Sequence, residues 1–294
     1  MKCTSKSKNQ NKVGILIVNL GSPDEPTASS VRKYLRQFLS DRRVIQMNPV
    51  LWQIILNLFI LPTRPKKVAK LYKSIWNNDK NEAPLKTETR KQAEKIQAKT
   101  GIPTYFAMRY QNPSILSTIK QMQNDGIDRV LVIPLYPQYS ATTTASIMDD
   151  VGTSLSKLTK QPSIRIAPPY YENEKYISAL NNSIKNTLQV IDFKPEKIIF
   201  SYHGIPKSYH KKGDPYPCQC KKTTKSVFAK SDFTDSEYFI TSFQSLFGKE
   251  EWVKPYTNDT LISLAKSGVK NVAIIAPAFA SDCLETTEEI CEEL

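Results

Sequence analysis

The stretch from Val13 to Pro23, VGILIVNLGSP, decides the fold class of this 294-residue chain. It opens with a continuous apolar run, which is typical of a strand buried on both faces of a parallel sheet. The run ends in Leu20-Gly21-Ser22-Pro23, a combination that predicts a turn. Runs of the same kind recur along the chain and alternate with stretches whose apolar residues have helical spacing.

This alternation predicts an α/β fold in which parallel sheets are covered by helices. Further strands are expected at about 103–108, 129–135, 163–167, 197–201, 238–244 and 271–276. The segment Pro168-Pro169-Tyr170-Tyr171 interrupts the pattern and marks a boundary. We therefore expect two Rossmann-like domains, 13–168 and 169–294, each a parallel β-sheet flanked by helices, with a cleft between them.

The glycines exclude two common functions of parallel sheets. No two of the nine glycines are separated by a single residue, so the chain lacks the G-x-G-x-x-G motif of dinucleotide-binding folds. Gly248-Lys249 is followed by Glu250, so there is no phosphate loop of the Walker type either. Both observations argue against a nicotinamide dehydrogenase and against a nucleoside triphosphatase.

One histidine occupies a position that is typical of functional residues. Lys197-Ile198-Ile199-Phe200 predicts a buried strand, and His203 follows its carboxyl end, just ahead of Gly204 and Pro206. Ligands of open α/β sheets bind at the carboxyl ends of the strands. A single histidine is more often structural than catalytic, so His203 becomes a functional candidate only together with other residues.

An acidic row follows the last predicted strand, 271–276. Glu285, Glu289 and Glu293 recur at every fourth position, which places them along one face of a helix. A solvated acidic face is one interpretation. The other is a path of hard oxygen ligands for a divalent cation. Glu285 and His203 would then meet across the cleft in a mixed oxygen and nitrogen site for ferrous iron or a similar metal.

The net charge of +13, from 41 basic and 28 acidic residues, permits three kinds of partner: nucleic acid, an anionic membrane surface or an acidic small molecule. The basic residues are scattered over predicted helices, so solvated helix faces explain them equally well. No RNA- or DNA-binding motif is visible, and we expect no nucleic-acid partner.

The N-terminus and the cysteines favour a cytoplasmic protein. The first twelve residues are polar and lysine-rich, without the apolar core of a signal peptide. The five cysteines form no framework of secreted disulfides, and a reducing compartment fits them better.

The apolar segment from Pro49 to Pro62 falls short of the ~18 residues that a membrane span requires. It carries no charged residue, and Gln53 and Asn57 are its main polar interruptions. Such a segment is either a core helix or an apolar lip over a ligand or a bilayer surface.

Several motifs, in order from about residue 13 to the end, together resemble the ferrochelatase family. They are Asn19-Leu20-Gly21-Ser22-Pro23, Met108-Arg109-Tyr110, PLYPQYS at 134–140, SYHGIP at 201–206, GDPY at 213–216, Phe243-Gln244-Ser245 with Trp252, and SDCLET at 281–286. The family inserts ferrous iron into a porphyrin, the last step of haem synthesis. The resemblance implies two Rossmann-like domains with the porphyrin in the cleft between them.

The resemblance also implies roles for individual residues. His203 and Glu285 would be the catalytic pair and contact the metal, with Asp282 in support. Glu289 and Glu293 would continue the metal path. The porphyrin would be bound by Leu20, Trp52, Met108, Arg109, Tyr110, Tyr139 and Phe279. Residues of the apolar lip, about 50–61, would grip the ring and attach loosely to a membrane.

Some positions depart from the family pattern. Glu82-Ala83-Pro84-Leu85 stands where relatives commonly carry Gly-Ser-Pro-Leu, and Cys283 stands where some have a second histidine. Some members bind a [2Fe-2S] cluster through four cysteines, but Cys218, Cys220, Cys283 and Cys291 lack a recognisable cluster spacing. We therefore expect no prosthetic group, and ferrous iron would be a substrate.

The expected reaction fits these residue types. Metal insertion exchanges Fe²⁺ for two pyrrole protons, and histidine supplies a base whose pKa lies near neutrality. Carboxylates can hold the metal weakly enough to release it. A basic surface would favour a substrate that carries propionates, and anionic lipid.

The sequence thus predicts a cytoplasmic ferrochelatase, in peripheral contact with the inner membrane, that makes protohaem from protoporphyrin IX and Fe²⁺. One alternative is a chelatase for another tetrapyrrole, such as coproporphyrin III, or for cobalt. The others are a non-catalytic haem or metal carrier on the same fold and, from charge alone, a nucleic-acid binder.

Overall fold

The structure is a computed structural model and describes residues 12–248, 250–287 and 290. These residues form two compact units. Unit 1 contains the chain up to Leu135, Ala141–Pro168 and the stretch that begins at Ser281. Unit 2 contains Tyr136–Ser140 and Pro169–Ala280. The predicted domains, 13–168 and 169–294, differ from these units in the stretches 136–140 and 281–287.

Unit 1 is built on a four-stranded parallel sheet. Its strands are β1 (Lys12–Gly21), β2 (Thr104–Tyr110), β3 (Ile127–Pro134) and β4 (Ser163–Ile166), in the order β2-β1-β3-β4. In register, Ile17 of β1 lies between Phe106 of β2 and Ile133 of β3. This central place explains the apolar run of β1, in which Leu16 and Val18 are fully buried.

Helices cover this sheet. They are α1 (Ala28–Leu39), α2 (Pro49–Ile55), α3 (Leu61–Ser74), α4 (Pro84–Thr100), α5 (Ile115–Asn124) and α6 (Ser146–Ser156), with π-helical segments at Leu56–Ile60 and Ala141–Ala145. Thr27 caps α1, because its hydroxyl oxygen accepts a hydrogen bond from the Ser30 amide (3.3 Å). Ser114 caps α5 in the same way through the Ser117 amide (3.2 Å).

The apolar segment 49–62 has both buried and exposed apolar residues. It forms α2, the π-helical segment and the start of α3 rather than one helix. Trp52 and Leu56 face the core of unit 1, whereas Val50, Leu58 and Phe59 are exposed. One face of the segment is therefore part of the core and the other is an exposed apolar surface. None of the helices in the described part of the chain has the length and apolar character of a membrane span.

Unit 2 carries a three-stranded parallel sheet. Its strands are β5 (Lys197–His203), β6 (Phe239–Gln244) and β7 (Val272–Ile275), in the order β6-β5-β7. Its helices are α7 (Glu174–Val190), α8 (Lys207–Lys211), α9 (Tyr216–Ala229) and α10 (Thr257–Lys266), with a 3₁₀ turn at Ser236–Tyr238. Ile198, Phe200 and Tyr202 project from one face of β5 into the core. The predicted α/β class, with parallel sheets flanked by helices, is confirmed.

The sequence pattern predicts helices at 87–100 and from about Thr223, and both begin earlier in the structure. Helix α9 starts at Tyr216 rather than near Thr223. Its first turn is held by the Asp214 carboxylate, which accepts a hydrogen bond from the Tyr216 amide (3.0 Å). Helix α4 starts at Pro84 rather than at Thr87. Each helix has a proline in its first turn, where the missing N–H has no partner to lose. The sequence pattern places Pro84 in an irregular stretch, 77–84, and Pro217 in a loop, 214–217.

Two leucines of the π-helical segment test its packing. Leu56 is 0 % exposed and Leu58 is 65 % exposed. We expect Leu56→Ala to lower the free energy of unfolding of unit 1 by about 2–5 kcal/mol, because it leaves a cavity in the core. Leu58→Ala is the matched control and should change it by less than about 0.5 kcal/mol. Urea unfolding measures both, and equal effects would contradict the assigned faces.

Candidate active site

His203 ends β5, half-buried between two aromatic rings of unit 2. The ring centroids of Trp252 and Phe279 each lie 6.4 Å from that of His203. Its Nδ1 lies 2.7 Å from the carbonyl oxygen of Gly204. Because a carbonyl oxygen only accepts hydrogen bonds, this contact assigns the proton of the neutral ring to Nδ1. Nε2 then carries the lone pair and is the atom available as a base or a metal ligand.

The backbone after His203 is held by a close approach that requires glycine. The Gly204 amide donates a hydrogen bond to the Gln244 carbonyl (2.8 Å). A Cβ atom at Gly204 would lie 3.0 Å from that carbonyl oxygen and 3.0 Å from the Trp252 ring. Any side chain here would push β5 and β6 apart or displace Trp252. The Gly204 carbonyl that orients His203 is thereby fixed.

A buried chain of hydroxyl groups lies beneath His203. Ser201 donates a hydrogen bond to the Gln244 side-chain oxygen (2.6 Å) and shares another with Thr257 (2.8 Å). Thr257 also contacts the Ser242 hydroxyl (2.9 Å). Since the Ser201 proton goes to Gln244, Thr257 must donate to Ser201 and Ser242 to Thr257. No motif of the sequence indicated Thr257, which joins this network only through the fold.

The stretch that begins at Ser281 carries Glu285 and belongs to unit 1. Leu284 packs against the apolar cluster of that unit. Burial raises the pKa of the Cys283 thiol well above its ordinary value, and the adjacent Glu285 carboxylate raises it further. Burial and the Glu285 charge likewise raise the pKa of Tyr72. Glu285 is thus a half-buried carboxylate beside Cys283 and near Tyr72.

The other predicted metal residues are less constrained. Asp282 is exposed, and its carboxylate accepts a long hydrogen bond from the Thr286 hydroxyl (3.4 Å). Glu289 and Glu293 lie outside the described residues. Within the described ranges, no three or more histidine, cysteine, aspartate or glutamate side chains form a group that could hold a metal ion. His203 belongs to unit 2 and Glu285 to unit 1, and their action as a pair stays a prediction.

Arg109 and Tyr110 end β2 in a dense polar network. The Arg109 guanidinium donates to the Asp41 carboxylate (2.6 Å) and to the Ser146 hydroxyl (2.7 Å). Tyr110 donates to the same Asp41 oxygen (2.8 Å). Burial alone would raise the pKa of Asp41, but hydrogen bonds from Ser146, the Arg43 amide and Tyr110, with the Arg109 charge, lower it. Arg109 therefore has fixed partners in unit 1.

The remaining residues predicted to bind porphyrin have different surroundings. Leu20 is half-buried at the end of β1. Met108 and Trp52 are buried, and the Trp52 indole donates to the Leu39 carbonyl (2.6 Å). In unit 2, the Tyr139 amide donates to the Gln219 side chain (2.7 Å). These contacts explain how each residue is held, and their contacts with a porphyrin stay predictions.

Glu82, which departs from the family pattern, forms a buried ion pair. Arg90 donates to both of its carboxylate oxygens (2.7 and 2.5 Å), and the Thr87 hydroxyl donates as well (2.9 Å). Burial alone would raise the pKa of Glu82, but Arg90 and Thr87 lower it below its ordinary value. The pair fastens the loop before α4 to the second turn of that helix.

Comparison with known proteins decides the family. The ferrochelatase family model matches residues 12–294. The chain belongs to the ferrochelatase family. It is 50% identical over 286 residues to the ferrochelatase of Bradyrhizobium sp. (strain BTAi1), covering 96% of this chain and 81% of the relative. It is 48% identical over 286 residues to the ferrochelatase of Rhodopseudomonas palustris (strain HaA2), covering 96% and 83%.

A solved structure supports the fold. SirB from Bacillus subtilis with Fe³⁺ superposes with a TM-score of 0.51 and covers 90% of this chain and 76% of that chain. At 12% sequence identity this likeness shows the fold alone. Membership of the ferrochelatase family confirms the predicted enzyme class. The chain is a metal chelatase enzyme, with a porphyrin and a metal ion as its substrates.

The ion pair of Glu82 provides a test by substitution. We expect Glu82→Gln to lower the free energy of unfolding by about 1–3 kcal/mol at neutral pH, because Arg90 loses a charged partner. Glu88→Gln is the matched control: Glu88 pairs with Lys91 (2.7 Å) on the surface of α4, and such pairs contribute at most about 1 kcal/mol.

The effect of Glu82→Gln should also depend on pH. Folding lowers the pKa of Glu82, so its contribution is complete above the unfolded pKa of about 4.3 and is lost as the pH falls through the folded value. The difference in urea midpoint between the wild type and Glu82→Gln should therefore shrink below about pH 4. A difference that stays constant through this range would contradict the ion pair.

Proposed function

We propose that this ferrochelatase inserts Fe²⁺ into protoporphyrin IX and so forms protohaem, the last step of haem synthesis. The observation that carries the proposal is the geometry of His203. Its Nδ1 proton is donated to the Gly204 carbonyl (2.7 Å), so Nε2 is the reactive nitrogen. Trp252 and Phe279 beside it supply flat apolar surfaces of the kind that a porphyrin ring contacts.

In the proposed reaction, Nε2 of His203 accepts one pyrrole proton. Insertion of one Fe²⁺ displaces two pyrrole protons, so a second acceptor is required. Glu285 and Asp282 are the proposed partners, and Glu285 is also the proposed oxygen ligand of the entering metal. The fixed Nδ1–H bond keeps the imidazole oriented when Nε2 takes up its proton.

An insertion assay tests the proposed substrates. Absorbance should be followed with Fe²⁺, Co²⁺ and Zn²⁺ against protoporphyrin and coproporphyrin. We expect the highest kcat/KM for Fe²⁺ with protoporphyrin. A higher value with coproporphyrin III or with Co²⁺ would replace the proposed substrate by the alternative. Porphyrin binding without insertion of any metal would overturn the enzymatic role in favour of a carrier.

The two histidines of the chain offer a matched pair of variants. We expect His203→Ala to lower kcat by about 100-fold or more, the usual contribution of a general base, while the Kd for porphyrin changes little. His210→Ala is the control, because His210 on α8 also has its Nδ1 in contact with a backbone carbonyl, that of Asp214 (2.8 Å). Retention of most activity in His203→Ala would contradict its role as the base.

We also propose that unit 1 contacts an anionic membrane surface. The exposed side chains of Val50, Leu51, Ile54, Leu58 and Phe59 form an apolar patch. Val50, Ile54 and Leu58 also line an open pocket of about 630 Å³. The next helix, α3, carries the exposed lysines Lys66, Lys67, Lys70 and Lys73. An apolar patch followed by basic residues suits shallow insertion into an anionic bilayer.

Vesicle binding tests this surface. We expect the double variant Leu58→Ser, Phe59→Ser to bind vesicles of phosphatidylglycerol and phosphatidylcholine several-fold more weakly than the wild type, because both side chains lose their apolar insertion energy. Val190→Ser, at an exposed residue of α7, is the control and should bind like the wild type. Equal vesicle binding by the double variant would contradict the proposed contact.

A further inference from the structure

Asn19 ties two parts of unit 1 together at the end of β1. Its side-chain Nδ2 lies 3.1 Å from the Thr89 hydroxyl oxygen on α4 and 3.1 Å from the Ser281 hydroxyl oxygen. Its Oδ1 accepts a hydrogen bond from the Leu20 amide (2.9 Å). The side chain is buried, and the two contacts of Nδ2 span 70 and 262 residues of sequence. It is thus a long-range junction rather than a local turn.

The direction of these hydrogen bonds requires an amide at this position. The Thr89 hydroxyl lies 2.6 Å from the Leu85 carbonyl and must donate its proton there. It can therefore only accept from Asn19, which places the NH₂ group toward Thr89 and Ser281. Both N–H bonds of the amide and its oxygen are used. An aspartate would set a carboxylate oxygen against the acceptor side of Thr89.

The junction connects the two parts of unit 1 that the proposed reaction uses. On one side, Asn19 holds the backbone of Leu20, which is predicted to contact the macrocycle. On the other side, it holds Ser281, the first residue of the stretch that carries Glu285. Leu20 and Leu284 pack against the same apolar cluster. The Asn19 side chain therefore links Leu20, a predicted ring contact, to the stretch that carries Glu285, the predicted metal ligand.

We propose that Asn19 is a positioning residue for metal insertion, which sets the place of Glu285 relative to Leu20 through the hydroxyl of Ser281. This role rests on the proposed functions of Glu285 and Leu20. Leu20 is also held by β1 and by the apolar cluster, whereas Ser281 lies outside the helices and strands. The loss of Asn19 therefore affects delivery of the metal more than binding of the ring. A purely structural amide would lower stability and leave the dependence on metal concentration unchanged.

The test measures steady-state insertion at varied Fe²⁺ and at varied porphyrin. We expect Asn19→Ala to raise the KM for Fe²⁺ about tenfold, the equivalent of one buried hydrogen bond, while the KM for porphyrin changes less than about twofold. Ser281→Ala should reproduce the increase. The double variant should show no larger increase than Asn19→Ala alone, because the bond to Ser281 is already lost in that variant.

A buried asparagine elsewhere is the matched control. Asn181 on α7 is 5 % exposed, against 4 % for Asn19, and its side chain donates to the Val227 carbonyl (3.1 Å). We expect Asn181→Ala to lower thermal stability and to leave the KM for Fe²⁺ unchanged. The proposal would be overturned if Asn19→Ala lost as much thermal stability as Asn181→Ala and kept an unchanged KM for Fe²⁺. If Asn19→Ala does not fold, Ser281→Ala carries the test, and an unchanged KM there overturns it.

The outcome for Asn19 can be separated from that of the proposed function. The experiment uses whichever porphyrin the wild-type enzyme accepts, so a preference for coproporphyrin overturns only the proposed substrate. If the wild type is active and its KM for Fe²⁺ is the same in Asn19→Ala and Ser281→Ala, only the positioning role fails. The positioning role would also fail if the KM for Fe²⁺ of the double variant rose by the product of the two single increases. Such a result would mean that the two side chains act independently.

Discussion

The hydrogen bond between Nδ1 of His203 and the Gly204 carbonyl leaves Nε2 as the nitrogen of the neutral ring that carries the lone pair. Two contacts of Gly204 hold that carbonyl in place. The Gly204 amide is bonded to Gln244 of β6, and the Trp252 ring closes over the glycine where a Cβ atom would lie. The polarised hydroxyl chain from Ser242 to Gln244 fixes the strand beneath. These hydrogen bonds hold the strand that carries His203 in place.

In unit 1, a hydrogen-bonded side chain and a close backbone contact hold the carboxyl ends of β1 and β2. These ends run side by side, with Asn19 opposite Met108 and Gly21 opposite Tyr110. Gly21 has a φ of +107°, and a Cβ atom there would lie 2.0 Å from the Tyr110 carbonyl oxygen, so only glycine permits this approach. The motif Asn19-Leu20-Gly21 thus combines a fully bonded amide with a backbone contact that a side chain would destroy.

The sequence was sufficient for features that depend on nearby residues. The apolar runs of β1 and β5 revealed buried central strands, and the place of His203 followed from the end of its run. Contacts between distant residues were not predictable in this way. The Arg109 and Asp41 pair spans 68 residues, and neither residue belongs to a pattern that names its partner. The early helix starts at Pro84 and Tyr216 are not predictable from apolar spacing, because the proline in the first turn of each helix lies in a stretch that has the composition of a loop.

The stretch 281–287 shows the same limit. Its place after β7 suggested the second domain, whereas Asn19 and the apolar cluster around Leu284 hold it in unit 1. Sequence order does not reveal that this stretch belongs to unit 1, because Asn19, which bonds Ser281, lies 262 residues away in the chain. The family motifs indicated a set of candidate functional residues, and the structure shows contacts, such as these, that hold several of them in place.

The central claim is that Nε2 of His203 is the atom that meets the porphyrin. Nitrogen NMR of protein labelled with ¹⁵N-histidine measures this most directly, because the chain contains only two histidines and His203→Ala assigns them. We predict that the neutral His203 ring carries its proton on Nδ1, and that metal-free porphyrin shifts its Nε2 resonance while His210 is unaffected. A His203 ring protonated on Nε2 with bare Nδ1, or a porphyrin that leaves both nitrogens of His203 unshifted, would contradict the claim.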